Sequence, residues 1–483
     1  MGADLPWQEG PSILAVLRAA ERPGDAELPD EPPAEPGQRV RGFIGRRRAA
    51  AEITLRLAAL VRSPGDEERL ALYRSAQGDD VLEIVDAVLE RLVRNPELLA
   101  AAEPHARWLV REARHRGPLK LGIALLSVSG GADDVVTIET LAAHGEFTEY
   151  CTVALMNLLP DPVDALWDVA RSMNGRGKID AVERLAPLVG DRPDIRRWLL
   201  TDGCENTDGC LGYTCATAGG LADALRGDVD DELLDGACTI VSDLCMDGPD
   251  QDIDDYEHGP AVVRRLLDLL GERCTTLERL DAVLTIGEWF DEDNEIGERC
   301  TAIVAREPWG ERLRQAYEHG DARSRWIAWR VAPHVDVDLW DVGFARLQRE
   351  PLDGKLVFQL AGVPDGDRRR RLTEWAERDL PVKTLASGPA LDLFFPGDGS
   401  EADVALACVV QEMHGGEHYS ERLVAAALLS PVVMTRSMAL DALAAQPRER
   451  WGERAESALE RLLREEPSDD VRERVVTLAA RTG

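Results

Sequence analysis

Three groups of residues in this chain have types and spacings that chemistry can use. The first is a set of five cysteines, Cys204, Cys210, Cys215, Cys238 and Cys245. Cys210 and Cys215 are separated by four residues, within the range of a structural zinc pair, but no C-x-x-C is present and no histidine adjoins any of the five. Cys238 and Cys245 are seven apart, two helical turns on one face. The set reads as free thiols packed in a core rather than as metal ligands or a nucleophile.

The second group, His414-Gly415-Gly416-Glu417-His418, matches the literal H-x-x-E-H pattern of inverted zinc peptidases. That chemistry needs both histidines on one helical face as ligands and Glu417 as general base. Two adjacent glycines in the same turn oppose a stable helix there. The segment reads instead as a helix end, with Glu417 opening the next helix, and a zinc-dependent hydrolase stays as an alternative.

The third group is acidic. Thirteen Asp and Glu lie between Asp223 and Glu257 against one base, Arg226. A calcium loop beginning at Asp250 would need glycine at Asp255 and glutamate at Ala261; one beginning at Asp291 would need them at Ile296 and Ala302. Both fail, so no metal and no cofactor is expected. The acids read as a docking edge for a positively charged partner. Its members are Asp243, Asp247, Asp250, Asp252, Asp254, Asp255 and Glu257, with Asp291, Glu292 and Asp293 nearby in sequence. Trp326 and Trp329, one helical turn apart, are candidate apolar anchors. The arginine runs 46–48 and 368–371 can grip phosphate, but in so acidic a chain they read as solvated helix faces paired with acids.

The elements that must hold these groups are helical. Apolar periodicity predicts a short helix at 11–21, then a Pro- and acid-rich linker with Pro23, Pro29, Pro32, Pro33 and Pro36. Helices follow at 39–62, 66–76, 79–94, 96–115, 118–128, 132–143, 147–159, 162–173 and 177–188. Beyond Pro260 they continue near 261–272, 275–290, 295–305, 308–319, 321–332, 336–349 and 353–362. They resume at 403–412, 418–429, 433–445, 451–465 and 469–481. No useful stretch alternates with period two, so no strand is expected. The Gly/Pro-rich stretch 387–403 breaks the pattern. The expected organisation is 1–38 as helix and linker, 39–386 as the main helical array, 387–403 as a break, and 404–483 as terminal helices with a cap.

Four segments share a pattern: a base, a small or branched residue three on, an apolar residue next, and apolar or small residues three further on. They start at Lys178, Arg325, Arg436 and Arg472, so the bases are 147, 111 and 36 residues apart, about four, three and one units of 36–37. In GRGKIDAVERLAPL, VMTRSMALDALAA and SDDVRERVVTLAA the chain resembles the bacterial HEAT-like (armadillo-type) helical repeats, a group that includes phycobilisome lyases. The stretch IRRWLLTDGCENTDGCLGYTCATAGGLADAL is similar to segments of uncharacterised bacterial members. The resemblance covers about half the chain. It implies an all-α fold, an α-solenoid of stacked antiparallel helix pairs, and it carries no catalytic residue across.

Charge sets the partner class. The 483 residues hold 56 Lys and Arg against 89 Asp and Glu, a net charge of −33. Such a surface repels nucleic acid and anionic membranes and favours a basic partner. Only four bases are lysine (Lys120, Lys178, Lys355 and Lys383), and alanine is abundant, the usage of a high-GC bacterial genome. No run of 18 apolar residues occurs, and MGADLPWQEG has neither a basic nor an apolar leader region. The expectation is a cytoplasmic protein with reduced thiols. The sequence thus points to a non-catalytic binding or scaffold protein for a basic protein or peptide. The enzyme alternatives are a helical-repeat nucleic-acid glycosylase, which would need a basic groove, and the hydrolase at His414, Glu417 and His418.

Overall fold

The computed structural model describes residues 5–30, 42–77, 81–207, 209–246, 251–349, 352–392, 400–415 and 418–480. The chain is all-helical, with 73% of it in helix. Among the described residues the sole β feature is an isolated bridge between Asp392 and Val432. Two compact units form: residues 1–274 with 285–303, and residues 275–284 with 304–483.

Local sequence explains where helices start. Side-chain oxygens of Ser12, Asn95, Asp230, Asp321, Asp353, Asp365 and Ser420 each accept an N–H from the first turn of the helix that follows. Five of the seven are charge- or amide-bearing Asp and Asn, which satisfy orphan donors and complement the helix dipole. Helix Pro96–Glu112 and helix Pro193–Leu199 also begin on proline, whose missing N–H costs nothing there.

Within the first unit, helices pack on their next and next-but-one neighbours. Helix Arg116–Ser129 lies against Pro96–Glu112 on one side and Thr148–Leu158 on the other. Its Leu119, Leu121, Ile123, Leu125 and Leu126 are all buried, so it is apolar nearly all round. Gly122 lets it approach closely: a Cβ there would press on Leu109 and Val110. The cysteine-rich middle, for which the apolar period predicted no helix, folds as helices Pro193–Leu199, Gly212–Gly219, Leu221–Ala224 and Asp231–Leu244. Its apolar runs are short because glycines let backbones touch. At Gly236, helix Asp231–Leu244 comes so near the Leu200 carbonyl that any β-carbon would collide with it.

In the second unit the same neighbour packing links Gly310–His319 with Ala322–Val331, Gly354–Ala361 with Glu401–Gln411, and Val433–Ala444 with Glu401–Gln411, Glu421–Leu428 and Asp469–Ala480. The arginine run 368–371, read only as a charge cluster from sequence, sits on a 14-residue helix, Gly366–Asp379. Part of the predicted break is stitched down. The Gly388 N–H donates to the Leu429 carbonyl, and the Val433 N–H to the Asp392 carbonyl, each at 2.8 Å. Residues 393–399 of that break lie outside the described residues.

Candidate functional site

Three of the four repeated bases, Lys178, Arg436 and Arg472, hold backbone carbonyls, whereas the Nε of the fourth, Arg325, is buried with no hydrogen-bond partner among the described residues. Lys178 is buried, and its Nζ donates to the carbonyls of Asp202 (2.7 Å) and Glu205 (2.6 Å). Burial pushes its pKa below the usual lysine value. At the corresponding position Arg436 is fully buried with Glu466, meeting both its carboxylate oxygens at 2.7 and 2.8 Å. Arg436 also donates to the carbonyls of Ser430, Pro431 and Ala390. Arg472 grips the Glu466 carbonyl and Asp469. These residues build the fold and have no catalytic geometry.

The cysteines do the same. Cys204, Cys215, Cys238 and Cys245 are buried, and Cys210 is exposed. Burial pushes the Cys204 and Cys245 thiols up to about 12 and Cys215 well above its ordinary value, so they stay protonated and are poor nucleophiles. Among the described residues no three His, Cys, Asp or Glu side chains form a group able to hold a metal ion. The His414 motif is not one helix. His414 is in a 3-10 turn with Nδ1 at 2.6 Å from the Gln411 carbonyl, and His418 has a left-handed φ of 53°. The two imidazoles therefore do not share a helical face; Glu417 lies outside the described residues.

The acidic residues divide by what their carboxylates meet. Asp243, on helix Asp231–Leu244, accepts the backbone N–H groups of Cys210 (3.0 Å), Leu211 (2.8 Å) and Gly212 (2.5 Å). Gly209 and Cys210 are both left-handed, with φ of 64° and 65°, so successive N–H groups converge on it. Asp243 thus caps helix Gly212–Gly219 across a distance of some thirty residues and is spent on the fold. Asp230, Asp231 and Glu232 are tied to Arg197 and Arg273. Asp293 caps helix Asn294–Val304 by accepting from Glu295 and Ile296.

Beyond these, Asp252 accepts the N–H groups of Asp254 (2.8 Å) and Asp255 (3.2 Å), which folds the loop on itself. Ile253 and Tyr256 anchor that loop in the core, while Asp254, Asp255 and Glu257 are exposed. Among the described residues no base is paired with these three. Asp291 and Glu292 are exposed as well. Asp247 and Asp250, also expected on this edge, lie outside the described residues.

The arginine run gives the opposite picture. Arg368 pairs with Asp338, Arg369 with Glu412, Arg370 with Asp367 and Glu374, and Arg371 with Asp341. Arg368 and Arg371 also lie over the Trp340 ring. No phosphate-gripping face remains there.

A cleft in the second unit was not visible in the sequence. It has a volume of about 470 Å³ and is lined by Trp329, Pro333, Phe358, Gln359, Val363, Pro364, Cys408, Gln411 and Glu412, among others. Trp329 stacks on Tyr317 (centroids 5.6 Å apart, 29° between planes), and the Tyr317 hydroxyl donates to Gln359 at 3.2 Å. Phe358 is 59% exposed; Trp326, one turn before Trp329, is 52% exposed. The walls come from three separated helices and the turn at 362–364, so no local pattern announces them. Trp329 was the one legible member.

No protein-family model matches the chain, and comparison with curated proteins finds no match. Among the described residues no helix is long and apolar enough to cross a membrane.

Proposed function

We propose that this chain is a non-catalytic helical-repeat binding protein whose partner is a basic protein or peptide. The observation that carries it is the self-folded loop 252–257, which presents the exposed carboxylates of Asp254, Asp255 and Glu257 with no ion pair to any of them among the described residues. They belong to a stretch, 201–257, with sixteen acids and one base. Like charges this dense repel one another, and a cationic partner relieves that cost.

The stacked, solenoid arrangement expected of the repeats is part of the same proposal. Its support is the reach of the clamps along the chain. Arg265 donates to the Leu225 carbonyl, Arg273 to Val229, Arg299 to Arg264 and Arg312 to Thr275, 35 to 44 residues away. That is about one helix-pair repeat.

The test is association kinetics with a fluorescent hexa-lysine peptide as the basic probe. The on-rate falls steeply as salt rises, because the Debye length shrinks from about 10 Å at 0.1 M to about 3 Å at 1 M. Changing Asp254→Asn, Asp255→Asn and Glu257→Gln together flattens that slope. Absence of binding, or a slope identical in the triple variant, overturns the proposal.

A further inference from the structure

We propose that the cleft of the second unit is a docking site for an arginine side chain of the partner. This rests on the reading that the partner is basic, and adds which residue it offers and where that residue sits. Its lining combines Trp329 and Phe358 with Pro333, Val363 and Pro364, and its polar residues include Glu412 and Gln411. A guanidinium suits both parts at once: its plane stacks on an aromatic face, and its N–H fork meets a carboxylate.

Three features select that occupant. The charge lining the cleft is Glu412's. Glu412 lines both the cleft and a small adjoining cavity, and its Oε2 accepts from Arg369 at 2.7 Å; Arg369, Met413 and His418 line the adjoining cavity and not the cleft. An anion in the cleft would find no cation in its lining and would face Glu412. A purely apolar residue would strip water from Glu412 and Gln411 and offer no donor in return, which is costly. Lysine brings the charge without the stacking plane and is more strongly hydrated. The aromatic wall is also fixed in advance, since Trp329 rests on Tyr317, so docking spends little ordering entropy.

Cys408 supplies a local reporter. It lines the cleft, partly exposed, and burial pushes its thiol up to about 11, so it alkylates slowly and in step with access. The experiment compares hexa-arginine with hexa-lysine, equal in charge, reading affinity by titration and Cys408 alkylation by peptide mass mapping. Hexa-arginine is expected to bind about tenfold tighter, ~1.4 kcal/mol, within the range of a desolvated cation–π contact. It alone slows Cys408 alkylation. Phe358→Ala, at an exposed position that leaves folding intact, and Glu412→Gln each reduce the preference to about twofold or less. Equal affinities, or an arginine preference that survives Phe358→Ala, overturn the arginine site while leaving the acidic-surface reading standing. If neither peptide binds, both fall.

Discussion

The two units share a building plan and differ in what they do with charge. The first holds 56 Asp and Glu against 30 Lys and Arg, a formal charge of −26; the second holds 33 against 26, or −7. In the second unit even a run of four arginines is matched by acids, and the exposed large apolar residues include the aromatics Trp326 and Phe358. In the first, acids outnumber every available base, and the excess stands on loops such as 252–257. In the proposed reading, charge and aromatic contact, usually mixed in one interface, would be carried by different parts of the chain. Long-range attraction and short-range selectivity can therefore be altered separately.

The sharpest way to break the comparison is at the repeated base. Arg436→Ala leaves Glu466 buried without its ion pair and should cost about 3–5 kcal/mol, read by urea denaturation. Lys178→Ala in the first unit loses two bonds to carbonyls but is relieved of a buried charge, so roughly 2 kcal/mol is expected. Equal costs would mean that the clamps are interchangeable and that the ion pair adds nothing.

Next in size is the division among the acids. Asp243→Ala removes the acceptor of three N–H groups and should cost about 2 kcal/mol. Asp254→Asn should fall within about 0.5 kcal/mol of wild type, since it breaks no bond seen in the fold. A large loss at Asp254 would make loop 252–257 structural and remove it from the docking edge. Phe358→Ala should be equally quiet in stability, within about 0.5 kcal/mol, while losing arginine selectivity.

The smallest effect is with pH. Hydrogen bonding to Arg197, with the Leu233 N–H, holds the Asp230 carboxyl below the usual range; the Arg368 guanidinium does the same for Asp338 in the second unit. A lowered folded pKa adds stability that is present above the unfolded value, about 4, and is lost as pH falls through the folded one. Acid melting curves should therefore steepen below about pH 4. Asp230→Asn and Asp338→Asn should each blunt that limb slightly, which circular dichroism can follow.

The helical array was legible because its signal is local. Caps at Asn95, Asp321 and Asp353 lie at the very start of helices that the apolar period predicts, whereas the helices capped by Asp230 and Asp365 escape it. The shared pattern marks bases with a common task at Lys178 and Arg436, which both hold backbone carbonyls, but not at Arg325, whose Nε is buried with no partner among the described residues. What sequence could not assign was direction. Asp243 and Asp254 look alike in an acidic run, yet one faces a cluster of backbone N–H groups thirty residues earlier and the other faces solvent. A cue existed in the Gly209-Cys210-Leu211-Gly212 turn, which needs an anion to close it, but nothing local said which acid supplies it. The cleft was hidden for the same reason, since Trp329, Phe358, Pro364 and Glu412 meet only through packing.

Arg436 draws together strands of chain that are far apart in time of synthesis. Its bonds to Ala390, Ser430, Pro431 and Glu466 span residues 390 to 466, and the Gly388–Leu429 and Asp392–Val433 contacts lie within the same knot. None of these segments can open while the others stay closed. Slow amide exchange in 388–392, 429–436 and 466–472 should thus share a single opening rate, as one foldon rather than a fraying end. A nascent chain would gain that protection only once Glu466 has left the ribosome.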